Sequence, residues 1–208
     1  DQYGIEFFSI GGGVGIVYDA AFASGDPAWW ESVEHPRRIT PEDYAAAIVP
    51  ILQPLGLKIL FEPGRSMVGN AGVLISTVQY VKNTPAKTFT VVDAGMNDLI
   101  RPALYERFHE VVPLRHSETE PVVMDVVGPV CESGDFFAQD RAIPPLVEND
   151  RIALMSSGAY GFVMASNYNS RTFPVEILVE GEDWQIVRER QTLEALVSGE
   201  KITGPTGR

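Results

Sequence analysis

The sequence predicts a chain of two kinds, a parallel α/β unit followed by an antiparallel β domain, with the change of character near residue 71. Three observations carry this. Residues 4–64 read as strand, glycine loop, helix, strand. From about residue 72, β-branched and alternating runs recur between turn residues. The 208 residues, 45% of them hydrophobic and 21% charged, are enough for one or two domains with a sizeable buried core.

Gly4–Ile10 (GIEFFSI) is a short apolar run that stops at Gly11-Gly12-Gly13, as a buried parallel strand does. Thr40-Pro41-Glu42-Asp43 carries a helix start: a Thr N-cap, Pro at the first helical position and acids in the first turn. Apolar residues at helical spacing follow from Tyr44 to Leu52, and Pro50 is expected to end or kink that helix. Lys58–Glu62 (KILFE) is the next buried strand, closed by Pro63-Gly64. Strand–helix–strand with apolar strands implies a parallel sheet or an α/β barrel. So short a unit leaves edges and an apolar face for further chain, or a partner, to cover.

In residues 72–208, strands are expected over Val73–Val81, Thr88–Asp93, Val122–Val127, Arg151–Ser156, Pro174–Glu180 and Trp184–Arg190. Asn83-Thr84-Pro85 and Glu180-Gly181-Glu182-Asp183 supply turns between them. This pattern implies a β-sandwich or barrel. Thr192–Val197 reads as a short helix, and Gly204–Arg208 as a mobile tail.

The formal charge of −12 argues against a nucleic-acid surface, which needs clustered Lys and Arg. No apolar run approaches the roughly 20 residues that span a bilayer. The first residues have neither the basic start nor the cleavage site of a signal peptide; without an initiator Met, they read as a start inside a larger protein. Cys131 is the one cysteine, so no disulfide forms within the chain, and a reducing, cytoplasmic setting is the simplest reading. His35, His109 and His116 are scattered, and no metal site is expected.

Five segments bear chemistry. Consecutive glycines at Gly11, Gly12 and Gly13 let backbone N–H groups approach an anion, although a tight turn after a strand uses them equally well. Their spacing matches neither the P-loop nor the dinucleotide fingerprint. Glu62-Pro63-Gly64-Arg65 ends an apolar strand. A carboxylate there is costly unless paired, with a protonated ring nitrogen of a cofactor or with Arg65 itself. Cys131-Glu132 is either a proton donor beside an orienting acid or a small cysteine in a turn. Arg101 and Tyr105 share a face if helical. Tyr160 is flanked by Gly158-Ala159 and Gly161, which permit close approach of a ligand.

Together these segments resemble the diaminopimelate decarboxylases, within the fold-type III group of pyridoxal-phosphate enzymes. The segments are GGGVGI (11–16), FEPGR (61–65), DAGMNDLIRPALY (93–105), VGPVCESGDFFAQDR (127–141) and GAYGFVMASNYNSR (158–171), in family order over nearly the whole chain. The resemblance implies the C-terminal part of a (β/α)8 barrel over residues 1–71 and a β domain over 72–208. It implies pyridoxal 5′-phosphate as cofactor, its phosphate held by Gly11, Gly12, Gly13, Gly64 and Arg65. Glu62 is expected on the ring nitrogen. Arg65, Arg101, Tyr105, Glu132 and Tyr160 are expected around an amino-acid substrate, with Tyr160 also against the cofactor. Cys131 and Glu132 would act across a homodimer interface, in the other subunit's site, Cys131 as proton donor. The implied reaction is decarboxylation of meso-2,6-diaminopimelate to L-lysine and CO2, the last step of lysine biosynthesis. Decarboxylases of ornithine, arginine or carboxynorspermidine share the glycine loop and EPGR. Arg101 with Tyr105, and Cys-Glu rather than Cys-Asp, favour diaminopimelate.

The family's cofactor-anchoring lysine lies on an early barrel strand, in a motif that none of Lys58, Lys82, Lys87 or Lys201 matches. The chain is therefore expected to lack the N-terminal half that bears this lysine and to be inactive by itself. A non-catalytic fragment or homologue is the competing reading.

Overall fold

The computed structural model of the chain describes residues 4–18, 39–201 and 204; His35 and the tail after Gly204 lie outside them. The first strand, β1 (Phe7–Ser9), pairs in parallel with β2 (Lys58–Leu60), Phe7 opposite Lys58 and Ser9 opposite Leu60. Between them in sequence lies α1 (Pro41–Leu52). Its start follows the expected chemistry: Thr40 Oγ1 accepts from the Asp43 N–H at 3.1 Å and the Asp43 carboxylate accepts from the Thr40 N–H at 3.2 Å. This reciprocal capping box satisfies two otherwise orphaned donors. Pro50 does not end the helix, which runs on to Leu52 before a 3-10 turn over Gln53–Leu55. Pro50 sits in the last turn, where its missing N–H costs a single bond.

β1 and β2 are not buried as expected. Phe7, Phe8, Leu60 and Phe61 are all exposed, because no third strand flanks the pair among the described residues. An open apolar cavity of about 620 Å3 lies beside them, lined by Val14, Ile16, Tyr44, Ile48, Phe61 and Met67. Tyr44 stacks on Phe61 at 5.2 Å between ring centroids.

After α2 (Gly64–Val68) comes a six-stranded sheet: β3 (Leu74–Asn83), β4 (Thr88–Val92), β5 (Val111–Pro113), β6 (Val122–Val127), β7 (Phe136–Ile143) and β8 (Arg151–Leu154). The spatial order is β5-β8-β3-β4-β6-β7, and α3 (Arg101–Tyr105) lies in the connection from β4 to β5. Four of its pairs are antiparallel, as expected, but β4 and β6 run parallel, joined by a connection that crosses over through α3 and β5. The two ends of the order come together. Arg141 on β7 donates to the His109 carbonyl at 3.3 Å and lies 3.9 Å over the Phe108 ring, beside the start of β5. The result is a nearly closed barrel. Its interior holds Val78, Val92, Leu99, Val126, Phe137, Ile143, Ile152 and Leu154. Each such side chain contributes roughly 1.5–3 kcal/mol by leaving water.

β5 and β7 show little strand character in sequence. β5 is three residues long, and β7 is broken by Gln139-Asp140-Arg141, where Asp140 takes a positive φ of 48°. That bulge is bracketed by charge. Lys87 Nζ reaches the buried Asp125 and the exposed Asp140, each at 2.9 Å. The chain ends in a separate hairpin, β9 (Glu176–Glu180) and β10 (Asp183–Arg188), and the short helix α4 (Leu193–Val197), capped by Thr192.

Candidate functional site

Because β1 and β2 are parallel, both C-terminal ends open on one side, where α/β sheets gather their ligand-binding loops. The two ends are stitched together. Glu62 N donates to Gly11 O at 2.9 Å, and a Cβ on Gly12 would stand 2.2 Å from the Glu62 carbonyl oxygen, so only glycine fits there. Gly11 and Gly13 take positive φ of 67° and 83° with open space over each. Gly11 N–H is taken by Ser9 Oγ at 3.2 Å; the N–H groups of Gly12 and Gly13 have no partner among the described residues. That is the donor arrangement an anion needs.

Glu62 is exposed and accepts from Ser9 Oγ at 2.6 Å. It forms no ion pair with Arg65, so the alternative of a Glu62–Arg65 pair is not what the fold builds. Arg65 instead donates from Nε and Nη2 to the Val14 carbonyl at 3.4 and 3.3 Å, fastening the end of the glycine loop. Gly64 opens α2 with nothing within 4 Å of where its Cβ would be.

The segment after the glycine loop docks on the barrel. Asn70 Nδ2 donates to Val17 O and to Ser156 Oγ, both at 2.8 Å, and Tyr18 meets Arg101. Arg101 is 4% exposed, and its Nη1 donates to the Tyr18 hydroxyl at 2.7 Å. Its guanidinium carbon lies 5.2 Å from the Tyr18 ring centroid and 5.6 Å from that of Tyr160. No carboxylate forms an ion pair with it among the described residues. A buried cation held by aromatic faces and one hydroxyl has charge left to pair with an anion. Tyr105 lies one helical turn further on, as expected, but its ring is exposed.

Tyr160 is half exposed and adopts a left-handed φ of 59°, uncommon for an aromatic residue. Its flanking glycines do different work from that expected. A Cβ on Gly158 would stand 1.9 Å from Val68 O, and one on Gly161 2.2 Å from Ser157 O. They permit close backbone packing, not ligand approach.

Beneath this cluster His109 is fully buried, its ring edge-on to Tyr18 at 5.8 Å. Nδ1 lies 2.8 Å from the Met155 carbonyl, which can only accept, so Nδ1 carries the proton and Nε2 presents a buried lone pair with no partner among the described residues. Burial, reinforced by the nearby Arg101 charge, holds its pKa below the usual 6.5 despite the Met155 bond.

Cys131 and Glu132 occupy the exposed tip of a loop, with the Glu132 carboxylate accepting from Gly134 N at 3.3 Å. The loop is pinned from below by the buried Asp135, which takes the N–H groups of Met96 and Val130, each at 2.6 Å. Burial pushes the Asp135 carboxyl up, and those two donors oppose the shift. Arg171 reaches Asn97 Oδ1 at 2.7 Å and Asp98 at 3.8 Å, bracing the same junction. Thus the motifs at 93–105, 127–141 and 158–171 meet in one polar network. Neither Cys131 nor Glu132 bonds to Glu62, Arg65, Arg101, Tyr105 or Tyr160. Ser9, Tyr18 and His109 lie outside the five motifs, and only folding brings them to the site; Asp135 lies within the 127–141 motif, but its bonds to Met96 and Val130 emerge only in the fold. Among the lysines, Lys87 is committed to Asp125 and Asp140, and Lys58 starts β2, at the end opposite Glu62.

The sequence pattern of the pyridoxal-dependent decarboxylases' C-terminal sheet domain matches residues 15–158. The chain belongs to this family. It is 45% identical over 199 residues to a diaminopimelate decarboxylase of Pseudomonas aeruginosa, covering 96% of this chain and 44% of that protein. A relative of the same description from Aquifex aeolicus is 42% identical over 94% of this chain and 43% of its own length. The crystal structure of diaminopimelate decarboxylase from Helicobacter pylori complexed with L-lysine superposes with a TM-score of 0.78 at 42% identity, covering 93% of this chain and 44% of that one. The chain therefore spans somewhat under half the length of the relatives it matches. No helix among the described residues is long and apolar enough to cross a membrane.

Proposed function

We propose that this chain is the C-terminal portion of a diaminopimelate decarboxylase, converting meso-2,6-diaminopimelate to L-lysine and CO2 with pyridoxal 5′-phosphate. Residues 1–71 belong to its (β/α)8 barrel and 72–208 to its β domain. The observation that carries the substrate choice is Arg101, a buried guanidinium with no carboxylate partner among the described residues. Diaminopimelate keeps a distal carboxylate for it, and ornithine has none.

The donor set fits the cofactor: N–H groups of Gly12 and Gly13, unpartnered among the described residues, for the phosphate, beside Gly11, Gly64 and Arg65, and Glu62 at the same strand ends for the ring nitrogen. When bound, the protonated ring supplies an electron sink for the pair released as CO2 leaves. The chain's own residues do the rest. Arg101, steadied by Tyr18, takes the distal carboxylate, and Tyr105 and Arg65 add contacts at the rim. Tyr160 lies along ligand and cofactor. From the partner subunit of a cytoplasmic homodimer, Glu132 takes the distal ammonium and Cys131 hands the Sγ proton to the carbon that lost its carboxylate.

The test is CO2 release and L-lysine formation from meso-diaminopimelate, with ornithine in competition. The purified chain is assayed alone and mixed with a polypeptide carrying a relative's lysine-bearing half. Activity on diaminopimelate in the mixture only is the expected result. Preference for ornithine, or a full rate from the chain alone, would sink the proposal.

A further inference from the structure

We infer that Ser9 is a positioning residue for Glu62, holding one carboxylate oxygen so that the other is presented to the cofactor's ring nitrogen. The inference rests on the reading of Glu62 proposed above. Its direction follows from proton counting. The Gly11 backbone N–H can only donate, so Ser9 Oγ accepts from it at 3.2 Å. The hydroxyl proton is then left for Glu62 Oε1, 2.6 Å away. The chain of donation runs from Gly11 through Ser9 to the acid, and Oε2 has no hydrogen bond among the described residues.

The backbone frames this contact on both sides. Ser9 pairs with Leu60 in the parallel register, Ile10 N donates to Leu60 O at 3.1 Å, and Glu62 N donates to Gly11 O at 2.9 Å. The separation of the two side chains is thus set by main-chain bonds, and the hydroxyl fixes the remaining freedom, the rotation of an exposed Glu side chain. An unrestrained Glu spreads over several rotamers and loses that freedom on binding. A restrained one meets its ligand pre-organised. The same hydroxyl accepts from Gly11, so one small side chain ties the Glu62 carboxylate to the glycine loop in addition to the main-chain bonds.

The probe is pyridoxine 5′-phosphate, which has the ring and phosphate but no aldehyde and so forms no covalent link. It is titrated into the mixture described above, following affinity calorimetrically and ring-nitrogen protonation by its ultraviolet band. Ser9→Ala is expected to weaken binding about tenfold, the scale of one charge-assisted hydrogen bond, and to shift the band toward the unprotonated ring. Ser9→Thr, which keeps the hydroxyl, restores both. In a Glu62→Gln background, Ser9→Ala adds nothing further, because it acts through that carboxylate. If the Ser9→Ala and Glu62→Gln effects multiply, or Ser9→Ala leaves both readouts unchanged, the role of Ser9 is overturned while that of Glu62 stands. If Glu62→Gln itself changes nothing, or the wild-type mixture does not bind the probe, the reading of Glu62 falls first.

Discussion

The six-stranded sheet and the two-stranded parallel sheet are comparably apolar in sequence but end in opposite environments. The larger sheet curls until Arg141 on one edge meets Phe108 and His109 beside the other, and its core side chains are sealed. The parallel pair keeps Phe7, Phe8, Leu60 and Phe61 exposed, although each strand reads as buried. Closure requires enough strands to return to the first edge, and among the described residues the two parallel strands have no neighbours to do it. The candidate site straddles the difference: Arg101 and Asp135 sit on the sealed side, Glu62 and the glycine loop on the open one.

Side-chain removal should separate the two regions most sharply. Phe137, only 2% exposed, should cost about 3–5 kcal/mol when replaced by Ala, read as a shift in the denaturation midpoint. Phe8, 47% exposed, should cost less than about 1 kcal/mol. Equal losses would show that the parallel pair is covered in solution, by a second copy or another polypeptide.

A second expectation concerns pH on the sealed side. His109 has its folded pKa lowered, so below 6.5 the unfolded chain takes up a proton that the folded chain resists. Stability should be level above that pH and fall beneath it, by at most about 1.4 kcal/mol per pH unit from this residue. His109→Gln, unable to titrate, should flatten that part of a melting-temperature profile; an unchanged slope would remove His109 from the account.

A third expectation belongs to the open side. Thr40→Ala removes the capping box and should destabilise α1 by about 1 kcal/mol. Amide exchange should quicken in Pro41–Leu52 and stay unchanged in β3, β4 and β6. Faster exchange throughout would mean that the two regions unfold as one.

The helix start at Thr40, the strand over Val122–Val127 and the hairpin turn at Gly181 are legible in sequence because caps, β-branched runs and glycine turns are local. The parallel pairing of β4 with β6 is not, since register across a long connection leaves no periodic trace. Glu62 and Arg65, three positions apart in one motif, read as candidate partners, yet in the fold one turns to Ser9 and the other to Val14. Sequence alone determined the order of the motifs, and with them the family, because residue identity and spacing are enough to specify which chemical groups a chain carries. Which groups meet was decided only by the tertiary structure. Tyr18 lies 83 positions from Arg101, and Ser9 lies 53 from Glu62. Contacts at such separations form when buried surfaces seal and backbone donors find acceptors, and no local pattern encodes either.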